Sequence, residues 1–240
     1  MAALDGQVAI VTGGGTGIGR ETARLLAAEG ARVVVAGRRQ PPLDLVVGEI
    51  EAAGGQAVAR QADVSSLDEA AALGAWACQT YGRVDVLINN AGHSSPNRTV
   101  WVEHEDWSRV VDVNLNGIFA LTRAVLPTMV ERGGGTVVTV TSLAALRPGL
   151  ISGAAYGAAK AAATLRDRGI RATTIVPAEV DTPILDARPH PPDAKARAIL
   201  FCVTLPPRTA VEEIVMSPTM ARDHSAEIAT ARRLGEPARR

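Results

Sequence analysis

The chain predicts a doubly wound parallel α/β fold, a single domain of about seven strands with helices on both faces. Three observations carry that prediction. Short runs rich in β-branched residues alternate with helical stretches along nearly the whole length, and such alternation implies a parallel sheet with right-handed crossovers. A glycine-rich turn joins the first strand to the first helix. Apolar residues make up 47% of the 240 positions but aromatics only 3%. Alanine and valine must therefore fill the core, as is usual where helices cover both sides of a parallel sheet.

In chain order, Val8–Thr12 reads as the first strand, and a helix follows from about Ile18 to Glu29, ended by Gly30, a usual C-terminal signal. Arg32–Ala36 is the second strand and Leu43–Ala53 the next helix, closed by Gly54-Gly55. Ala57–Ala62 is a short third strand, after which Ser65 or Ser66 caps a helix running to about Tyr81, both being good N-cap residues. Val84–Asn89 is the fourth strand, Glu105–Arg132 is long and mostly helical with Pro127 near its end, and Thr136–Thr141 is the fifth strand. Another helix holds Tyr156 and Lys160, Arg171–Val176 is the sixth strand, and Glu212–Met216 is the last. Pro189–Pro192 and Pro206-Pro207 mark loops, since proline interrupts both ladders and helices.

Composition excludes several function classes. The 25 basic residues balance 25 acidic ones, which gives no support for a nucleic-acid or membrane-surface partner. Two cysteines, Cys78 and Cys202, fit a reduced compartment rather than a disulfide framework. The opening Met-Ala-Ala-Leu-Asp-Gly has no basic region ahead of an apolar stretch, unlike a secretory signal. No apolar run approaches the roughly 20 residues that span a bilayer, so the expectation is a soluble, cytoplasmic protein. His93 and His104 stand in no metal-binding spacing.

The first chemistry-bearing motif is Gly13-Gly-Gly-Thr-Gly17-Ile-Gly19, directly after a strand and opening a helix. Backbone N–H groups and the positive end of the helix make an anion site there, and glycine lets a phosphate approach the backbone. Gly13, Gly15, Thr16, Gly17, Ile18 and Gly19 are the candidate phosphate-loop residues. A dinucleotide bound there would present its adenosine ribose to the end of the second strand. That strand ends Ala36-Gly37-Arg38-Arg39 with no acid. A carboxylate would hold the ribose hydroxyls of NAD, whereas arginine can grip a 2′-phosphate bidentately. Arg38 and Arg39 therefore favour NADP(H) over NAD(H); the plainer alternative is two solvated loop arginines.

The second motif is Tyr156-Gly-Ala-Ala-Lys160. The chain has two tyrosines and two lysines, the others being Tyr81 and Lys195. Residues four apart share a helix face, and an ammonium beside a phenol favours phenolate. The pair is thus a proton donor and acceptor usable near neutral pH. On spacing alone an incidental pair on an exposed helix stays open.

Taken in order, these motifs resemble the short-chain dehydrogenase/reductase family over most of the chain. The glycine spacing looks like that family's cofactor loop, and Asp63-Val64 resembles its adenine-contacting pair. Asn89-Asn90-Ala91-Gly92 looks like its Asn-Asn-Ala-Gly motif, and Asn114 matches its helix asparagine. Ser142 precedes Tyr156 by fourteen residues, a spacing normal for the family, and Pro177-Ala-Glu-Val180-Asp-Thr182 looks like its nicotinamide-contacting segment. The end of the chain, with Leu205-Pro-Pro-Arg and Val215-Met-Ser-Pro-Thr219, is similar to a branch whose members are often NADP-dependent reductases of broad specificity.

The resemblance implies a Rossmann-like domain over residues 1–220, with a cofactor half of about 1–135, a catalytic and substrate half of about 136–220, and a tail from 221 to 240. It implies hydride transfer between NADP(H) and a carbonyl or secondary alcohol. Tyr156 would exchange the proton, Lys160 would lower the Tyr156 pKa and bind the nicotinamide ribose, Ser142 would orient the substrate oxygen, and Asn114 would hold a water in a proton relay. Taken singly, Asn114 could instead bond backbone within its helix and Ser142 could cap the segment after it. Asn90, Ala91, Gly92, Asp63, Val64, Pro177, Val180 and Thr182 would join the loop glycines, Arg38 and Arg39 around the cofactor. The partners expected are a small, mainly apolar carbonyl or alcohol substrate and another copy or copies of the chain, as homodimer or homotetramer. The pocket would be formed largely by His93–Trp101, Leu143–Ser152 and Ile184–Leu205.

The chain also departs from the family. After Lys160 roughly nine residues are missing, about 13 Å of helix at the usual rise, from the helix that anchors the catalytic pair and builds the family's dimer. A second shortening follows Ile199-Leu200, Ala178 stands where glycine is common, and Thr16 where many NADP-binding members have a basic residue. The shortened helix motivates a competing expectation, a cofactor-binding protein with little or no turnover.

Overall fold

The computed structural model describes residues 2–94, 103–146, 159, 170–177, 193–206 and 209–216. Its elements in order are β1 (Val8–Thr12), α1 (Gly17–Ala28), β2 (Arg32–Gly37), α2 (Gln40–Ala52), β3 (Gln56–Gln61), α3 (Leu67–Tyr81) and β4 (Val86–Asn89). Then come α4 (His104–Val111), a π-helical turn (Asp112–Asn116), α5 (Gly117–Glu131), β5 (Thr136–Val140), α6 (Leu143–Leu146), β6 (Arg171–Pro177), α7 (Asp193–Thr204) and β7 (Glu213–Met216). The strands form one parallel sheet in the order β3-β2-β1-β4-β5-β6-β7. This is the Rossmann-like architecture expected. The order reverses between β1 and β4, and in such sheets ligands bind beyond the carboxyl ends of the strands at that switch point.

Alternation along the strands splits the core in two. Ala9, Val11, Val33, Val35, Val86, Ile88 and Val138 face the layer of α1, α2 and α7, meeting Leu26, Val46 and Ile199. Ile10, Val34, Leu87 and Val137 face α3 and α5, meeting Leu73, Leu121, Val125 and Met129. Both faces are covered, which is why β1 reads as an unbroken apolar run.

Several boundaries differ from the sequence reading for local reasons. α2 begins at Gln40 rather than Leu43 because Pro41 and Pro42 occupy its first turn, where a missing N–H is tolerated. Of the two candidate caps for α3, Ser66 takes the role, its hydroxyl accepting the Glu69 N–H. The helical stretch from His104 to Glu131 is long and apolar enough, by length and composition, to cross a membrane. In this fold its apolar residues Ile118, Leu121, Val125 and Met129 are buried in the core.

α7 is the main addition. The sequence reading placed no helix between β6 and β7. The structure carries one helix unbroken from Asp193 through Thr204. Its buried residues Ala196, Ile199, Cys202 and Val203 recur at helical spacing, and burial of that stripe sustains the helix.

Candidate active site

The site is built around Thr12, the last residue of β1, which is 2% exposed. Its hydroxyl accepts the N–H groups of Asn90 and Ala91, both at 3.0 Å, and donates to the Ile88 carbonyl at 3.2 Å. In return the Asn90 side chain donates to the carbonyls of Thr12 (2.9 Å) and Gly13 (3.3 Å). The residues after β4 are thereby tied to the glycine turn after β1, across 78 positions of sequence.

That turn is shaped for a close ligand. Gly13 has φ of +62°, a conformation that costs glycine little. At Gly19 a Cβ would overlap the Gly13 carbonyl oxygen and stand 2.5 Å from Asn90 Nδ2, so only glycine lets the first turn of α1 sit against the loop. Thr16 occupies the N-cap of α1 but its side chain makes no capping bond, and the first turn carries no acid. α3 contrasts with it, being capped by Ser66 with Asp68 and Glu69 in its first turn. The start of α1 keeps unpaired N–H groups and positive dipole character, which fits the pyrophosphate of a dinucleotide.

On the β2 side, Arg38 and Arg39 are exposed, and the Arg38 carbonyl accepts Gln61 Nε2 at 2.9 Å. Asp63 lies within reach of the Arg38 charge. Its carboxylate accepts the backbone N–H (3.0 Å) and hydroxyl (2.8 Å) of Ser65, and its own N–H donates to Glu69. Burial works against ionisation of Asp63, but the Ser65 hydrogen bonds and the charges of Arg38 and Arg109 outweigh it and hold its pKa below the usual carboxylate range. Burial, then the charges of Arg109 and Arg38, push the His93 pKa below the ordinary imidazole value, against the opposing charge of Asp106. Val64 is fixed by a contact that sequence reasoning missed: a Cβ at Gly117, the first residue of α5, would collide with the Val64 carbonyl oxygen.

Asn114 lies in the π-helical turn, fully buried. Its amide donates to the carbonyls of His93 (2.6 Å) and Val110 (2.8 Å), and its Oδ1 accepts the His93 N–H at 3.3 Å. Both amide hydrogens are committed to backbone, so the side chain locks the loop after Gly92 to the π-turn. Ser142 follows β5 and accepts the Ala144 N–H at 3.2 Å, which leaves its own hydroxyl hydrogen to donate. Ala159 is 2% exposed and packs with Val110 and Leu115, the residues around the Asn114 turn. Pro177 closes β6 and is buried.

Tyr156, Lys160, Val180 and Thr182, with the proposed shortening after Lys160 and the 221–240 tail, lie outside the described residues. Among the described residues no group of three or more His, Cys, Asp or Glu side chains could hold a metal. The structure adds Thr12 and Gly117 to the residues read from sequence. A buried hydroxyl at a strand's carboxyl end and a glycine at a helix start were the available signals.

Comparisons with known proteins agree with this geometry. The family model for short chain dehydrogenase matches residues 7–192. A 3-oxoacyl-[acyl-carrier-protein] reductase of Synechocystis sp. is 38% identical over 231 residues, covering 86% of this chain and 92% of that protein. Among solved structures, a metagenomic short-chain oxidoreductase in complex with NADP superposes with a TM-score of 0.81 at 32% identity, covering 91% of this chain and 100% of the other. A 7α-hydroxysteroid dehydrogenase complexed with NADH and 7-oxo glycochenodeoxycholic acid gives a TM-score of 0.81 at 32% identity, covering 89% and 94%. Fold, site architecture and relatives converge, and the chain belongs to the short-chain dehydrogenase/reductase family of oxidoreductases.

Proposed function

We propose that the protein interconverts a small carbonyl compound and its secondary alcohol, with NADP(H) preferred over NAD(H). The observation that carries this reading is the bare N-terminus of α1 at the switch point, flanked by the exposed Arg38 and Arg39 where an NAD enzyme would place an acid. Arginine matches a 2′-phosphate in both charge and geometry. Relatives crystallised with NADP and with NADH show that the fold accommodates either, so the preference rests on these side chains.

The bound nicotinamide would supply or accept the hydride. Tyr156 gives the proton to the carbonyl oxygen in reduction and removes it from the alcohol in oxidation. Lys160 favours the phenolate and binds the nicotinamide ribose. Ser142 donates its remaining hydroxyl hydrogen to the substrate oxygen. Asn114 is a positioning residue: with its amide spent on His93 and Val110, it sets the π-turn, on which Ala159, next to Lys160, is packed. Gly13, Gly15, Gly17, Ile18 and Gly19 cradle the pyrophosphate, and Asp63, Val64, Asn90, Ala91 and Gly92 line the adenosine half. Pro177, Val180 and Thr182 contact the nicotinamide.

The test is a thermal-shift titration with NADPH and NADH, followed by turnover of a generic diketone. Wild type should be stabilised more by NADPH, since a ligand at a hundred times its Kd contributes about 2.7 kcal/mol. Tyr156→Phe should keep that shift and lose turnover. Cofactor binding without turnover over a broad carbonyl panel would replace the enzyme by the binding protein.

A further inference from the structure

The chain spends one of its two lysines on α7, at a position where a helix of this kind has use for an apolar side chain. The buried residues of α7 are Lys195, Ala196, Ile199, Cys202 and Val203. They form one stripe at three- and four-residue spacing, and its last three members pack in the same core cluster as Ile18 of α1 and Ile175 of β6. Lys195 is 8% exposed. Among the described residues it has no ion pair: the nearby carboxylate, Asp193, instead stands 3.9 Å from Arg197 Nε. The Asp193 Oδ1 is buried without a hydrogen-bond partner. Burial pulls the Lys195 pKa below the ordinary lysine value, opposed by Asp193. An ammonium in such a place costs stability unless something answers its charge.

The topology says what could. α1 runs from the carboxyl end of β1 to the amino end of β2. The end of α7 is held at the amino end of β6, where Arg171 donates to the Val203 and Leu205 carbonyls, so both helices begin toward the carboxyl edge of the sheet. The two helices pack against each other, and Ile18 in the first turn of α1 shares a core cluster with Ile199 of α7. Helical side chains lean toward the helix N-terminus. Lys195, in the first turn of α7 and on its buried face, therefore leans toward the edge where α1 presents its uncapped N–H groups.

We propose that Lys195 is a cofactor-binding residue whose ammonium takes an oxygen of the pyrophosphate held by the first turn of α1. The assignment rests on the dinucleotide reading of that site. It makes the buried charge intelligible: the anion that compensates Lys195 arrives with the cofactor. The site combines a helix dipole, backbone donors and a compact point charge, which suits a phosphate approached from one side.

The experiment compares wild type, Lys195→Met and Lys195→Arg as full-length chains, with NADPH, NADH and ADP-ribose as ligands. ADP-ribose carries the pyrophosphate without the nicotinamide. Lys195→Met should leave the ligand-free Tm equal or higher, because methionine suits the stripe. It should raise the Kd of all three ligands by a common factor, about tenfold for loss of one charge-assisted bond. Lys195→Arg should recover part of that loss. Unchanged Kd values with a raised Tm would overturn the inference and leave Lys195 a tolerated buried charge. A loss confined to NADPH would overturn it too, by moving the contact to the 2′-phosphate. Wild type that binds none of the three ligands would overturn the dinucleotide reading itself, whereas binding by wild type with no change in the variants removes the Lys195 assignment alone.

Discussion

Thr12→Val tests the link on which the site is built, because valine has nearly the shape of threonine and lacks only the hydroxyl. Three hydrogen bonds disappear with it: those received from Asn90 N and Ala91 N, and the one given to the Ile88 carbonyl. They are not equivalent. The Asn90 N–H also reaches the Ile88 carbonyl at 3.1 Å, so that donor and that acceptor keep each other. Ala91 N–H is the group left without its partner, at a cost of about 1–3 kcal/mol. A loss of about 2 kcal/mol would lower Tm by about 4–8 °C in a chain of this size. The measurement is urea denaturation, with a lowered midpoint and an unchanged slope. NADPH affinity should fall as well, since Asn90 and Ala91 belong to the proposed cofactor wall. Thr12→Ser, which keeps the oxygen and loses one methyl, should bind NADPH as wild type does. A Thr12→Val protein as stable as wild type and with unaltered NADPH affinity would refute the reasoning that this hydroxyl joins the two loops.

Gly117→Ala should weaken NADPH and NADH alike, because its Cβ must displace the Val64 carbonyl, and overpacking of this kind costs about 1–3 kcal/mol; calorimetric titration showing unaltered affinity would contradict the assignment of Val64. Arg38→Asp should weaken NADPH far more than NADH, and an equal loss for both removes the 2′-phosphate contact. Asp63 has a folded-state pKa below its unfolded value, so its contribution is complete above the unfolded pKa and fades as pH falls through the folded one. The stability gap between wild type and Asp63→Asn should accordingly narrow on acidification below the ordinary aspartate range, and a gap that stays constant in acid would show that the Ser65 and arginine contacts do not favour the charged form.

How much of this was legible depended on whether the controlling interactions were local. The glycine turn and the β1–α1 junction were, because a short apolar run, a glycine cluster and a helical period are properties of adjacent residues. α3 was legible to within its cap, since Ser66 and Glu69 sit three apart. α7 was not, because its first residues follow a proline-rich stretch and its stability comes from burial against α1, β5 and β6. The site divides the same way. Asn90 was placed at the cofactor from its motif, but its grip on the Thr12 and Gly13 carbonyls exists only because β4 lies beside β1. Of the two backbone carbonyls that the Asn114 amide meets, Val110 lies one helical turn away and was foreseeable from sequence, whereas His93 lies on a loop 21 residues back.

The sequence by itself determined the succession of the seven strands and the helices between β1 and β5, the glycine turn after β1, the arginines at the end of β2 and the family to which the chain belongs, because each of these is written in residues close together along the chain. Only the tertiary structure decided that Thr12 is the hub of the site, that Gly117 fixes Val64, and that Lys195 is buried on α7, a helix packed against α1. Those contacts span tens of positions and follow from the strand order β3-β2-β1-β4-β5-β6-β7. Side chains far apart in sequence meet only once burial of both faces of the sheet has set which strands and helices are neighbours.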